Sequence, residues 1–300
     1  MTKKMLFLAF FLFITPLQVL QAENTEIIQT DQLSVLFEKP LRIAAKEIVD
    51  MYPTLKTELE NTLEWTIAFR PTIVLVNDRE KFQEMTGNSL IVAYAVSQKN
   101  LIVLDHSKMN TKPFSLGSIL KHELCHLLLH DKIRKVTLPR WLDEGVSQWA
   151  SDGIAEIIMS SKGSILNEAV LANKLFSLRR LEKRFPREEK SLLLAYEESK
   201  SLVEFISQEF GREAILDLLK HMEDGHEVDV AILKSCSIPP DELQRRWKTH
   251  LKKRTTWFTY LASNLYGILF FLAALLTVAG FVRVVVKKRR YGSEEESLDT

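Results

Sequence analysis

Apolar positions follow three patterns along the chain. At the two ends they form unbroken runs, Met5 to Ile14 and the uncharged stretch Thr255 to Val282. Between them the pattern first suits strands. Leu33 to Phe37 and Thr72 to Val76 are β-rich, and Pro40 to Glu64 between them reads as a helix, with Ile43, Ala44, Ile48, Met51 and Leu55 near helical spacing. Leu90 to Val96 and Leu101 to Leu104, joined by the polar Ser97 to Asn100, predict a hairpin. From Ser115 onward the period becomes helical: Ser115 to His130, Pro139 to Ser151, a stretch within Ser164 to Phe185, Glu188 to Phe210, Arg212 to Met222 and Asp241 to Lys252, with Gly211 and Pro239-Pro240 as stops. The expected class is α+β, a small mixed sheet followed by a mainly helical lobe.

The terminal runs set the expected location. Lys3 and Lys4 before the first run, with Ala22 as a cleavage point, make residues 1–22 a secretory signal, too short for the roughly 20 apolar residues of a membrane span. The second run has 28 residues, long enough to cross a bilayer, with Trp257 and Tyr260 at one interface. Arg283, Lys287, Lys288, Arg289 and Arg290 follow it as a stop-transfer cluster. The expected order is signal, an outer domain at 23–254, one transmembrane helix at 255–282 and a cytoplasmic tail at 283–300. The domain would then face outward from the cell membrane, as an extracytoplasmic, single-pass protein.

Composition narrows the function classes. Hydrophobic residues at 46% with 26% charged exclude a disordered chain, and ten Gly with nine Pro exclude a collagen-like one. A net charge of +1 offers no electrostatic footprint for nucleic acid. Two cysteines, Cys125 and Cys236, make no disulfide framework and read as buried thiols.

The candidate chemistry lies in His122-Glu123-Leu124-Cys125-His126. On a helix, HExxH sets two imidazoles on one face a turn apart, where both reach one ion. Glu123 then lies beside the open metal position, where it can take a proton from activated water. Ser115 is placed to cap this helix. Glu144, eighteen positions after His126 at the start of the next helix, completes a two-His, one-Glu zinc set. Asp143 is the rival carboxylate, read as a solvated or first-turn helix residue. His130 lies about 12 Å along the helix axis from His122, too far to share the ion. Cys125 points off the ligand face, and His221, His226 and His250 have no ligand spacing.

These motifs resemble the gluzincin metallopeptidases, and more closely the compact bacterial proteins with a peptidase MA-like domain. The resemblance rests on Lys121 to His126, on Trp141-Leu142-Asp143-Glu144-Gly145, and on Ala195-Tyr196-Glu197-Glu198-Ser199 leading to Phe210-Gly211-Arg212. It implies a thermolysin-like zincin fold, Zn2+ held by His122, His126 and Glu144, Glu123 as general base, and peptide or protein as substrate. Tyr196, 52 residues after Glu144, corresponds to a tyrosine that stabilises the oxyanion in related aminopeptidases; its other reading is a core tyrosine. The Gly-Ala-Met-Glu-Asn amine-binding run of those enzymes is absent. Gln148 stands where thermolysin-like enzymes carry an Asp that orients the first histidine, leaving that task to an amide oxygen or to another group.

The sequence therefore predicts a membrane-anchored extracytoplasmic zinc metallopeptidase acting on membrane-proximal peptides or proteins. The competing reading is a catalytically idle module that binds envelope proteins. An intact Glu123 argues against it, because a binding module needs no general base.

Overall fold

The computed structural model describes residues 25–109, 115–151, 165–255, 262 and 264–296. The expected signal at 1–22 lies outside them. In chain order the elements are β1 (Thr25–Gln29), β2 (Ser34–Glu38), α1 (Arg42–Leu63), β3 (Thr72–Val76), α2 (Arg79–Thr86), β4 (Ala93–Val96), β5 (Leu101–Asp105), α3 (Leu116–Lys132), α4 (Arg140–Ala150), α5 (Ile165–Leu171), α6 (Leu178–Glu182), α7 (Glu189–Phe210), α8 (Arg212–Glu223), α9 (Val228–Cys236), α10 (Pro240–Arg254) and α11 (Leu265–Glu296). The α+β expectation holds: a small mixed sheet precedes a mainly helical lobe.

The strands form one five-stranded sheet in the order β1-β2-β3-β5-β4. The inner pairs β2–β3 and β3–β5 are parallel, and the outer pairs β1–β2 and β4–β5 are antiparallel. The β-branched run Thr72 to Val76 occupies the centre, where both faces are covered and alternation gives way to continuous burial. Val74, Val76, Leu101 and Val103 pack with Phe82 of α2 in one core cluster. The hairpin leaves β4 at the edge, and its turn is a short 3-10 helix, Ser97–Lys99, closed by Asn100 in the left-handed region.

The chain divides into two compact units. The first takes residues 1–159 and 175–247, and the second takes 160–174 and 248–300. In the first, α1 packs on β2 and on α3, α3 packs on β4, β5 and α4, and α4 packs on α7. Ser115 caps α3 as expected, accepting from the Ser118 amide at 3.1 Å. In the second, Thr255 ends the α10 turn and its hydroxyl donates to Asn167 Oδ1 at 3.0 Å. Its long helix α11 contains a 20-residue segment, Leu265–Val284, that is long and apolar enough to cross a membrane.

Three elements were absent from the sequence reading. β1 is a polar-flanked strand with only intermediate or exposed positions. α2 buries Phe82 alone, and α9 spans only nine residues.

Candidate metal centre

Three elements carry the candidate site. α3 supplies His122, Glu123 and His126, all buried, because the spacing of HExxH repeats after about one helical turn. α4 supplies Glu144, fully buried in its first turn. α7 packs on α4 and supplies Tyr196.

The structure brings His122, His126 and Glu144 together, with one ligand atom from each within 4.8 Å of the others. His126 Nε2 lies 3.1 Å from His122 Nε2 and 3.6 Å from Glu144 Oε2, and His122 Nε2 lies 3.7 Å from the same oxygen. The contacts to Glu144 are too long for hydrogen bonds. The point equidistant from the three atoms lies about 2.0 Å from each, which is the zinc to nitrogen and zinc to oxygen bond length. Glu144 Oε2 is buried with no hydrogen-bond partner among the described residues, a costly arrangement unless a cation faces it. The donor set therefore fits a divalent metal of the zinc kind.

Hydrogen bonds at the far side of each imidazole suit that role. His126 Nδ1 lies 2.6 Å from Asp143 Oδ1, so its N–H donates to the carboxylate and Nε2 keeps its lone pair for a metal. Ser147 Oγ stands 3.2 Å from the same nitrogen. For His122, Ser151 Oγ is 3.4 Å from Nδ1 and itself donates to the Ser147 carbonyl at 2.7 Å.

Asp143 stands in the first turn of α4, one of its two sequence readings, and corrects the other. It is 3% exposed, not solvated, and it bridges His126 to His130, whose Nε2 lies 3.1 Å from Oδ2. Its position one residue before Glu144 turns it towards α3, and its charge is matched there by imidazoles. His130, eight residues from His122, is thus a partner of Asp143 and not a ligand. Gln148 Nε2 donates to the Glu144 and Tyr196 carbonyls at 3.3 and 3.2 Å, while Ser151 Oγ stands beside the His122 imidazole.

Electrostatics follow from this burial. Burial raises the pKa of both carboxyls, but His126 and His130 outweigh it at Asp143, and Arg140 with the imidazoles outweighs it at Glu144, so both lie well below the usual carboxylate range. Arg140 reaches Glu144 Oε1 at 2.5 Å. Burial opposes a charged His126, yet Asp143 and Glu144 together hold its pKa well above the ordinary imidazole value. The cluster thus favours a positive guest. Cys125 is buried and its thiol is pushed up to about 12 by burial, consistent with packing and not ligation.

Tyr196 is 3% exposed, and its ring meets Phe185 edge-on at 5.4 Å between centroids. Phe185 in turn lies beneath the Arg140 guanidinium, 5.7 Å from ring centre to carbon. His221, His226 and His250 are not part of the metal cluster.

Two solved structures resemble the fold. Legionella pneumophila aminopeptidase A in complex with aspartic acid is 15% identical, with 74% of this chain and 27% of that chain covered at a TM-score of 0.45. An M1 zinc metallopeptidase mutant from Deinococcus radiodurans is 13% identical, with 75% and 51% covered at 0.41. The chain thus spans between a quarter and about half of the length of these structures. No curated protein matches the sequence significantly. The Peptidase MA superfamily model matches residues 83–253, which takes in β4, β5, the HExxH helix α3 and the Glu144 helix α4. By that match over more than half its length, the chain belongs to the Peptidase MA superfamily.

Proposed function

We propose that the protein is a membrane-anchored, extracytoplasmic zinc metallopeptidase. The observation that carries this reading is the spacing of His122, His126 and Glu144 around a point about 2.0 Å from each ligand atom. Bound zinc would lower the pKa of water towards about 7 and polarise the scissile carbonyl. Glu123, next to His122 on α3, takes the proton of the attacking water and passes it to the leaving nitrogen. Tyr196 donates its phenolic hydrogen to the oxyanion. Asp143 and Ser151 hold the imidazole tautomers.

β4 is the edge strand beside α3, so an extended peptide adds antiparallel to it above the metal helix. The apolar segment of α11 supports the anchor, and the expected signal supports an outward-facing domain. About ten residues separate α10 from α11, which keeps the Arg254 end of α10 close to the bilayer and favours membrane-proximal substrates.

The test is a digest by the full-length protein in detergent. Glu123→Gln keeps zinc and fold but lowers hydrolysis at least about a hundredfold, because an amide cannot accept the water's proton. Tyr196→Phe lowers turnover by less and leaves zinc content unchanged. Undiminished cleavage by Glu123→Gln removes Glu123 from the chemistry.

A further inference from the structure

Two cavities stand at opposite ends of the edge strand. One, of about 580 Å³, lies past the end of β4 and is lined by Phe69, Ser97, Gln98, His130, Asp131 and Arg134 among others. The other, of about 510 Å³, lies before its start and is lined by Ser89, Leu90, Ile91, Pro186, Arg187 and Leu192 among others.

Both are tied to elements that carry the site. His130 is four residues beyond His126 on α3, about 6 Å along the axis, and shares Asp143 with it. Leu192 is four residues before Tyr196 on α7, a similar step. The four residues of β4 span about 13 Å between the two cavities. A peptide running antiparallel to β4 has its N-terminal side at the Ser97 cavity and its C-terminal side at the Leu90 cavity.

Chain-end recognition needs a charged group beside the scissile bond: a carboxylate for an α-ammonium, or a cation for an α-carboxylate. Among the described residues, the carboxylates at the metal cluster already have tasks. Glu144 is a ligand, Asp143 holds two imidazoles, and Glu123 is the proposed base. Asp131 in the first cavity is paired with Arg134 and lies about 7.5 Å along the helix beyond His126, roughly two extended residues away. Arg140, the cation nearest Glu144, is committed to it. Arg187 and Glu189 are both exposed in the second cavity, beyond the strand start, and offer opposite charges there.

We propose, resting on the peptidase reading above, that this site takes the interior of an extended polypeptide, seats residues on both sides of the scissile bond in the two cavities, and cleaves as an endopeptidase. Water adds across the amide as the C–N bond breaks, its hydroxyl going to the carbonyl carbon and its proton to the leaving nitrogen. No other reactant is consumed. The polar Ser97 cavity, with Gln98, Asp131 and Arg134, accepts polar upstream residues. The Leu90 cavity, with Leu90, Ile91, Pro186 and Leu192 beside the oppositely charged Arg187 and Glu189, accepts apolar downstream ones.

The experiment uses the zinc-loaded full-length protein in detergent and a mixed-sequence decapeptide library in four forms: both ends free, N-acetylated, C-amidated, and blocked at both. Mass spectrometry reads the cut positions. Internal cleavage of the doubly blocked library, within about threefold of the free one in kcat/KM, is expected, with a fall of about tenfold or more when a cleaved blocked sequence is shortened to four residues. Arg134→Ala and Arg187→Ala should raise KM for the long blocked peptide and leave the tetrapeptide unchanged. Removal of single residues only from a free N- or C-terminus overturns the endopeptidase assignment and leaves the peptidase reading standing. Equal effects of both variants at every length overturn the subsites. Hydrolysis of no library member by protein that retains zinc overturns the assignment together with the reading beneath it.

Discussion

Gly145 on α4 lies so close to Ser199 on α7 that a Cβ built on it would stand 2.5 Å from the Ser199 carbonyl oxygen and 2.6 Å from Val203 Cγ2. The two helices can meet only without a side chain there. Because Glu144 is the neighbouring residue, this approach sets the depth at which the third ligand enters the metal cluster. The glycine that ends Trp141-Leu142-Asp143-Glu144-Gly145 is thus a spacing element for the metal site.

Gly145→Ala should therefore push α4 off α7, at a cost of about 1–3 kcal/mol in stability and with weaker zinc retention. Chemical denaturation and a chelator competition measure the two. An unchanged midpoint and unchanged retention would mean the helices adjust without moving Glu144.

Asp143→Ala removes the acceptor shared by His126 and His130 and leaves the buried ring nitrogen of His126 and the half-buried one of His130 without it. Zinc affinity should fall about 10- to 100-fold, as for other groups that orient a metal-bound imidazole. Asp143→Asn, which keeps an oxygen facing Nδ1, should recover part of the loss. Competition with a chromogenic chelator reads both; equal affinity in wild type and Asp143→Ala would leave the carboxylate with a packing role alone.

Metal uptake should release protons. The raised pKa of His126 puts a proton at neutral pH where the ion would lie, so zinc must displace it. Calorimetry in buffers of different ionisation enthalpy should show about one proton released per zinc at pH 7. In the metal-free protein the raised His126 contributes stability that is present below the ordinary imidazole pKa and lost as pH rises through the raised value. The depressed Asp143 and Glu144 contribute stability that is present above the ordinary carboxylate range and lost on acidification. Metal-free stability should therefore be highest between these windows, as pH-dependent unfolding would show.

The cluster of His122, His126 and Glu144 was legible in the sequence because helical geometry converts HExxH directly into a shared face, and the downstream Glu144 follows in a recognisable motif. The central strand Thr72 to Val76 was legible too, since a β-branched run buried on both faces has no polar interruptions. Asp143 was legible as a first-turn carboxylate but not as a buried one, because such carboxylates are usually solvated. Its partners are seventeen and thirteen residues away in sequence, and only the packing of α3 on α4 reveals them. The same holds for Ser151 at His122, a contact across 29 residues between polar types with no fixed pattern. β1 and α2 were missed because each is short and buries few side chains, so local periodicity is weak and tertiary contacts decide; α9 was missed for its shortness alone, since Val228, Ala231, Ile232 and Cys236 follow helical spacing.

Metal content of the purified full-length protein tests the central claim most directly, with wild type and Glu144→Ala measured side by side after dialysis against a dilute chelator. The account predicts about one zinc per wild-type chain and a small fraction of that in the variant, because two imidazoles alone make an incomplete set. Equal zinc in both, or none in the wild type, would contradict a centre built from His122, His126 and Glu144.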